Sequence, residues 1–208
     1  MKSSIFDFAE MHCSDEHPVL TNIARRTYLN TVYPQMLTGH LQGLFLQWIS
    51  RLIQAHVVVE IGTFTGYSAF CFSLGLAEGG CVHTIERNPE LEYLIRQNLE
   101  GHGLGSRIIL HQGEAEDIIG KLPTPFDLVY LDGDKTQYLQ HFELIYPHLR
   151  PGGMLMADNV WWDGKVREGT TDSDARGILD FLQHVEQEQG LERLVLPFRD
   201  GLMLIRKK

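Results

Sequence analysis

The sequence predicts an α/β fold: a mostly parallel sheet with helices on both faces and an antiparallel pair of strands at one edge. Three observations carry this. From residue 56 onward, short apolar, β-branched runs alternate with helical patterns, which implies parallel strands joined by crossover helices. The last two strand-like runs are separated by the tight turn Pro197-Phe-Arg-Asp-Gly201, so they pair antiparallel. The 208 residues suffice for one large core. We therefore expect one domain over 1–208, with a helical lead-in (1–55) and an α/β core (56–208).

In the lead-in, Leu41, Leu44, Phe45, Trp48, Ile49 and Leu52 recur at steps of three and four. That spacing predicts one apolar helix stripe packed on the core. His56–Ile61 reads as a buried strand and Gly66–Leu76 as a helix. Cys81–Ile85 is the next strand, followed by a helix over Pro89–Glu100 with proline near its first turn. Strands continue at Arg107–His111, Phe126–Leu131 and Met154–Ala157. Helices are expected near 114–120, 136–148 and 173–189, and the closing strands at Leu191–Leu196 and Leu202–Arg206.

Composition excludes some classes. The 18 basic and 27 acidic residues leave a net charge of −9, which weighs against tight binding to nucleic acid or anionic membranes. Three cysteines, Cys13, Cys71 and Cys81, have no zinc-site spacing and read as reduced thiols. His12 and His17 read as surface residues of the lead segment. The first ten residues carry acids where a secretion signal needs an apolar stretch, and no run is long enough to span a membrane. We expect a cytoplasmic protein without membrane partners.

Ligands of such sheets bind beyond the carboxyl ends of the strands, and the unusual residues of this chain fall there. Glu60-Ile-Gly62-Thr-Phe-Thr-Gly66-Tyr-Ser68 follows the first strand. Gly62 allows a sharp turn and close ligand approach. Phe64 stands where a dinucleotide fingerprint has its second glycine, so a ligand without pyrophosphate fits better. Glu60 repels phosphate and attracts a cation. Glu86 ends the second strand, where a carboxylate can accept ribose hydroxyls. S-adenosylmethionine, a phosphate-free sulfonium, meets these requirements. Tyr130-Leu-Asp-Gly-Asp-Lys135 and Met156-Ala-Asp-Asn-Val160 each put oxygen donors directly after an apolar run. Asp132, Asp158 and Asn159 can converge on one hard cation, Mg²⁺ first, with Mn²⁺ or Ca²⁺ as alternatives.

With these motifs together, the chain resembles the cation-dependent O-methyltransferases: the catechol and caffeoyl-CoA O-methyltransferases and their bacterial relatives. The resemblance covers about 34–206. It rests on Met36-x-x-Gly39, Glu60-x-Gly62-x-x-x-Gly66-Tyr-Ser68, Glu86, Asp132-x-x-Lys135-x-x-Tyr138, Asp158-Asn159-x-x-Trp162-x-Gly164 and Asp200-Gly201-Leu202. It implies a Rossmann-like methyltransferase fold with a seven-stranded mostly parallel sheet and an antiparallel C-terminal edge hairpin. By the same resemblance, Met36 and Thr38 border the methionine part of the cofactor, and Glu60, Gly62, Tyr67 and Ser68 line its sulfonium end. Glu86 holds the ribose, Gly113, Glu114 and Ala115 flank the adenine, and Asp132 also adjoins the cofactor. Asp132, Asp158 and Asn159 bind the metal, and Lys135 is the general base. Two departures matter. Gly133 stands where an alanine is common, and Leu194 stands where catechol enzymes carry a substrate-binding acid.

A cation at this site lowers the pKa of a chelating hydroxyl and fixes its position. The same charge should depress Lys135 towards neutrality, with Tyr67, Trp161 and Trp162 walling the site. The expected acceptor is a small molecule with vicinal hydroxyls. The alternative is a hydroxylated tRNA base, which needs a basic face drawn from Arg25, Arg26, Arg51, Lys165, Arg167 and Arg176. A homodimer is expected from the family.

Overall fold

The computed structural model describes residues 5–100, 102–103 and 105–208; residues 1–4 of the expected lead-in lie outside them. Three helices come first: α1 (Ile5–His12), α2 (Pro18–Asn30) and α3 (His40–Leu52). The core then runs β1 (Val57–Ile61), α4 (Tyr67–Ser73), β2 (Cys81–Glu86), α5 (Glu92–Leu99), β3 (Ile108–Gln112), α6 (Ala115–Ile118), β4 (Phe126–Leu131), α7 (Tyr138–Ile145), β5 (Leu149–Ala157), α8 (Ser173–Gln187), β6 (Leu191–Leu196) and β7 (Leu202–Lys207). The expected helices at 89–100, 114–120 and 136–148 prove shorter, because 3₁₀ turns take over at their ends.

The seven strands are ordered β3-β2-β1-β4-β5-β7-β6. β1 to β5 are parallel, and β7 runs antiparallel between β5 and β6. Alternation along the strands divides the core into two layers. Val59, Ile61, Val129 and Leu131 face α7 and α8. Val58, Leu128 and Tyr130 face the layer of α2, α4 and α5. β1 and β4 are central and buried on both sides, as their Val- and Leu-rich sequences require.

The expected stripe on α3 holds in part: Phe45 and Ile49 pack against the core, but its other flank does not. Trp48 is 59% exposed and Leu52 73%, whereas the buried face carries Gln42, Gly43, Leu46 and Ser50. Each small or polar residue on that face has a specific partner. The Ser50 hydroxyl donates to the Phe72 carbonyl at 3.2 Å. Gly43 lets α4 approach so closely that a Cβ there would sit 2.8 Å from Cys71 Sγ and 3.0 Å from the Tyr67 ring. Gln42 donates to Tyr130 and Asp158. Hydrophobic periodicity counts such residues as outward-facing, so the buried face is rotated from the expected stripe.

α2 does not continue α1. His17 remains exposed but caps the new helix, its Nδ1 accepting the Val19 N–H at 3.2 Å. Among the described residues, no helix is long and apolar enough to cross a membrane.

Candidate active site

Backbone hydrogen bonds carry the strand ladder one step past the strand ends. Gly62 N–H donates to Ile85, Asp132 N–H to Ile61, Asp158 N–H to Leu131 and Gly113 N–H to Glu86, at 2.9–3.0 Å. The first residues after β1, β3, β4 and β5 are thereby fixed in one row at the carboxyl edge. The row spans the point where strand order reverses between β1 and β4, the usual ligand position of such sheets.

Asp132 and Asp158 stand side by side in that row. Burial pushes the Asp132 carboxyl up to about 6; Lys135 opposes this and the neighbouring Asp158 charge adds to it. Asp158 is 3% exposed and tightly held. Its Oδ2 accepts from Gln42 Nε2 at 2.8 Å and from the Tyr130 hydroxyl at 2.6 Å. Its Oδ1 accepts the Asn159 N–H at 2.9 Å. Asn159 itself has φ +58, a conformation asparagine tolerates better than most residues. Two neighbouring carboxylates, one buried and one half-buried, and an amide form an all-oxygen donor set, which fits a hard divalent cation.

Lys135 Nζ donates to Asp132 Oδ1 at 2.9 Å and lies 5.0 Å from the centre of the Tyr138 ring. The Tyr138 hydroxyl lies 3.0 and 2.9 Å from the carbonyl oxygens of Leu131 and Asp158, bracing the ends of β4 and β5. The expected depression of Lys135 depends on a neighbouring cation. Burial pulls its pKa down, but the Asp132 charge and Tyr138 outweigh burial and hold it above the ordinary lysine value. Asp134, the other acid near it, pairs instead with Arg87 at 2.9 Å.

The β1 end supplies a second cluster. Glu60 is fully buried; its Oε2 accepts from Thr84 at 2.5 Å, Ser68 also bonds it, and its Oε1 has no partner. Burial, only partly offset by the Ser68 and Thr84 hydrogen bonds, raises its carboxyl to about 8. A buried acid with one free oxygen is a ready seat for a cationic group. Glu86 accepts the Phe64 N–H on one oxygen and the Asn88 N–H on the other, at 2.8 and 2.9 Å. Gly113 (φ +139) and Glu114 lead into α6, where Ala115 is buried.

The Glu60 shift has a definite sign. Folded Glu60 keeps its proton from about 4.5 to about 8 while the unfolded chain has lost it. Stability from this group is therefore present in full below about pH 4.5 and declines as pH rises through about 8, by at most about 1.4 kcal/mol per pH unit. Denaturation midpoints measured between pH 5 and 8 should fall more steeply for the native chain than for Glu60→Gln. Equal slopes would refute the assignment.

Other expected residues have different surroundings. Thr38 is buried but Met36 is 57% exposed. The Tyr67 hydroxyl donates to Glu16 at 2.5 Å, tying α4 to the segment before α2. Trp161 is 62% exposed, and Trp162 Nε1 donates to Asp172 at 3.2 Å, so neither is a buried wall. Leu194 is exposed on the edge strand β6. Of the six basic candidates for an RNA face, Arg26, Arg51 and Arg176 donate to backbone carbonyls, and Lys165 pairs with Asp172. Sequence reading gave no role to Gln42, Tyr130, Tyr138 or Arg199. Tyr130 and Tyr138 carried a signal: Tyr130 shares a strand face with Asp132 two residues on, and Tyr138 stands in the motif with Asp132 and Lys135.

A family model described as O-methyltransferase matches residues 10–208. The chain belongs to the O-methyltransferase family. This O-methyltransferase is 32% identical over 190 residues to a catechol O-methyltransferase of Niastella koreensis, covering 87% of this chain and 86% of the relative. It is 32% identical over 160 residues to a catechol O-methyltransferase of Mycobacterium tuberculosis, covering 76% and 73% of the two chains. Among solved structures, an O-methyltransferase from Bacillus cereus in complex with SAH (S-adenosylhomocysteine) superposes with a TM-score of 0.92 at 26% identity, covering 98% of this chain and 97% of that one.

Proposed function

We propose that this O-methyltransferase uses S-adenosylmethionine to methylate one hydroxyl of a catechol-type small molecule, with a divalent cation bound at Asp132, Asp158 and Asn159. The observation that carries this reading is the pair of adjacent carboxylates at the ends of β4 and β5, Asp158 buried and Asp132 half-buried, with Lys135 on Asp132. The relatives named catechol O-methyltransferase support the acceptor class. A bound cation would lower the pKa of a chelating hydroxyl and fix its position.

The chain's own residues do the rest. Gln42 and Tyr130 orient the Asp158 carboxylate through the two bonds to Oδ2. Lys135 Nζ is the group positioned to take the acceptor proton. Asp132 and Tyr138 keep it protonated, and a cation that shared the Asp132 charge would weaken that hold. Glu60, with Gly62, Tyr67, Ser68, Met36 and Thr38 around it, would receive the cationic end of the cofactor. Glu86 would accept from the ribose hydroxyls, with Gly113, Glu114 and Ala115 along the base.

The test is methyl transfer from labelled S-adenosylmethionine in the presence of Mg²⁺. A simple catechol should be methylated at least about 100-fold faster than a one-hydroxyl phenol, the rate equivalent of about 2.7 kcal/mol of positioning. A chelator should abolish transfer. Equal rates on both acceptors, activity that survives chelation, or label entering RNA but no diol would overturn the proposal.

A further inference from the structure

Arg199 sits in the turn between β6 and β7 with φ +44, a region in which few side chains other than Asn and Asp are found. A residue stays in such a conformation when its surroundings over-determine it. Here the guanidinium does so. Nη1 donates to the carbonyl oxygens of Leu37 at 2.6 Å and Thr38 at 2.8 Å, and Nη2 donates to Gln35 at 2.8 Å. These partners lie 161 to 164 residues earlier in the chain. Gln35 lies in the 3₁₀ turn Pro34–Met36, and Leu37 and Thr38 lie in the irregular stretch between that turn and α3, where regular structure leaves their carbonyls to be satisfied from outside.

The clamp borders a cavity. Arg199, Phe198, Thr38, Gln42, Phe6 and Glu10 help to line a space of about 240 Å³, and Gln42 is the residue that holds Asp158. Three of the five guanidinium N–H donors are already committed to carbonyls. Arg199 therefore holds backbone more than it offers charge to a ligand.

We propose that Arg199 is a positioning residue: it ties the 35–38 segment to the C-terminal hairpin and so sets the wall against which cofactor and acceptor bind. This rests on the reading of Met36 and Thr38 as cofactor-bordering residues. The informative variant is Arg199→Gly, because glycine is at ease at φ +44; it removes the clamp together with a positive charge that acts on Asp132, a charge that Arg199→Lys keeps. We expect it to fold, with S-adenosylhomocysteine bound about tenfold or more weakly by calorimetry. Amides in 36–43 should exchange hydrogen faster, while those of β4 should not change. Arg199→Lys, which reaches fewer carbonyls, should recover part of the affinity.

Unchanged affinity and unchanged exchange in Arg199→Gly would overturn the clamp, whatever its melting temperature. A general rise in exchange that includes β4 would overturn it too, since that marks loss of fold stability and not of positioning. Failure of the native chain itself to bind S-adenosylhomocysteine would overturn the cofactor reading, and the exchange rates would then decide the clamp alone.

Discussion

Asp158→Ala is expected to reduce methyl transfer by about 10³-fold or more, roughly 4 kcal/mol of transition-state stabilisation. Two losses combine. The proposed cation loses a ligand, and the Gln42 amide and Tyr130 hydroxyl lose the acceptor that both use. Each buried donor left unpaired costs about 1–3 kcal/mol of stability. Asp158→Asn separates the two, because an amide oxygen still accepts both hydrogen bonds but carries no charge. Initial rates and thermal unfolding should therefore diverge: both variants inactive, but only the alanine variant clearly destabilised. An asparagine variant with near-native rates would contradict the metal-ligand role.

Gly62→Ala should be the most damaging methyl addition among the glycines at positive φ. A Cβ at Gly62 would lie 2.5 Å from the Asp132 carbonyl oxygen and 2.7 Å from its carbon, and the residue has φ +98. Both contacts are with backbone, which side-chain rotation cannot relieve. Strain at positive φ and overpacking together cost about 3 kcal/mol or more. The clash also pushes on Asp132, whose N–H is bonded to Ile61, so the proposed cation site is displaced with the turn. Gly79→Ala is the control, since Gly79 also has positive φ (+74) but nothing lies within 4 Å of its added Cβ. It should cost about 1 kcal/mol. Urea midpoints measure both, and similar losses in the two variants would show that close approach does not decide the Gly62 position.

The sheet was legible because its strands are short apolar runs, and their alternation with helices leaves few topologies. The acids of the site were legible for the same reason: Glu60, Glu86, Asp132 and Asp158 interrupt or end those runs. What escaped were residues whose role depends on a distant partner. Gln42 and Ser50 look outward-facing until Asp158 and the Phe72 carbonyl are seen beside them. Arg199 is a lone arginine in a turn until the carbonyls of the 35–38 segment meet it. The direction of the Lys135 shift was not legible, because it depends on whether Asp132 or a cation lies nearer in effect, and residue spacing carries no such information. Trp161 and Trp162 were assigned by residue type, yet one is exposed and the other is anchored to Asp172.

The central claim is that one acidic cluster holds a cation and a separate one holds the cofactor. Paired titrations of native chain and Asp158→Asn with Mn²⁺, followed by electron paramagnetic resonance, and with S-adenosylhomocysteine, followed by calorimetry, test it most directly. The account predicts one tight Mn²⁺ in the native chain, loss of that site in the variant, and S-adenosylhomocysteine affinity preserved within about threefold. Mn²⁺ binding that survives in Asp158→Asn, or loss of both ligands together, would contradict it.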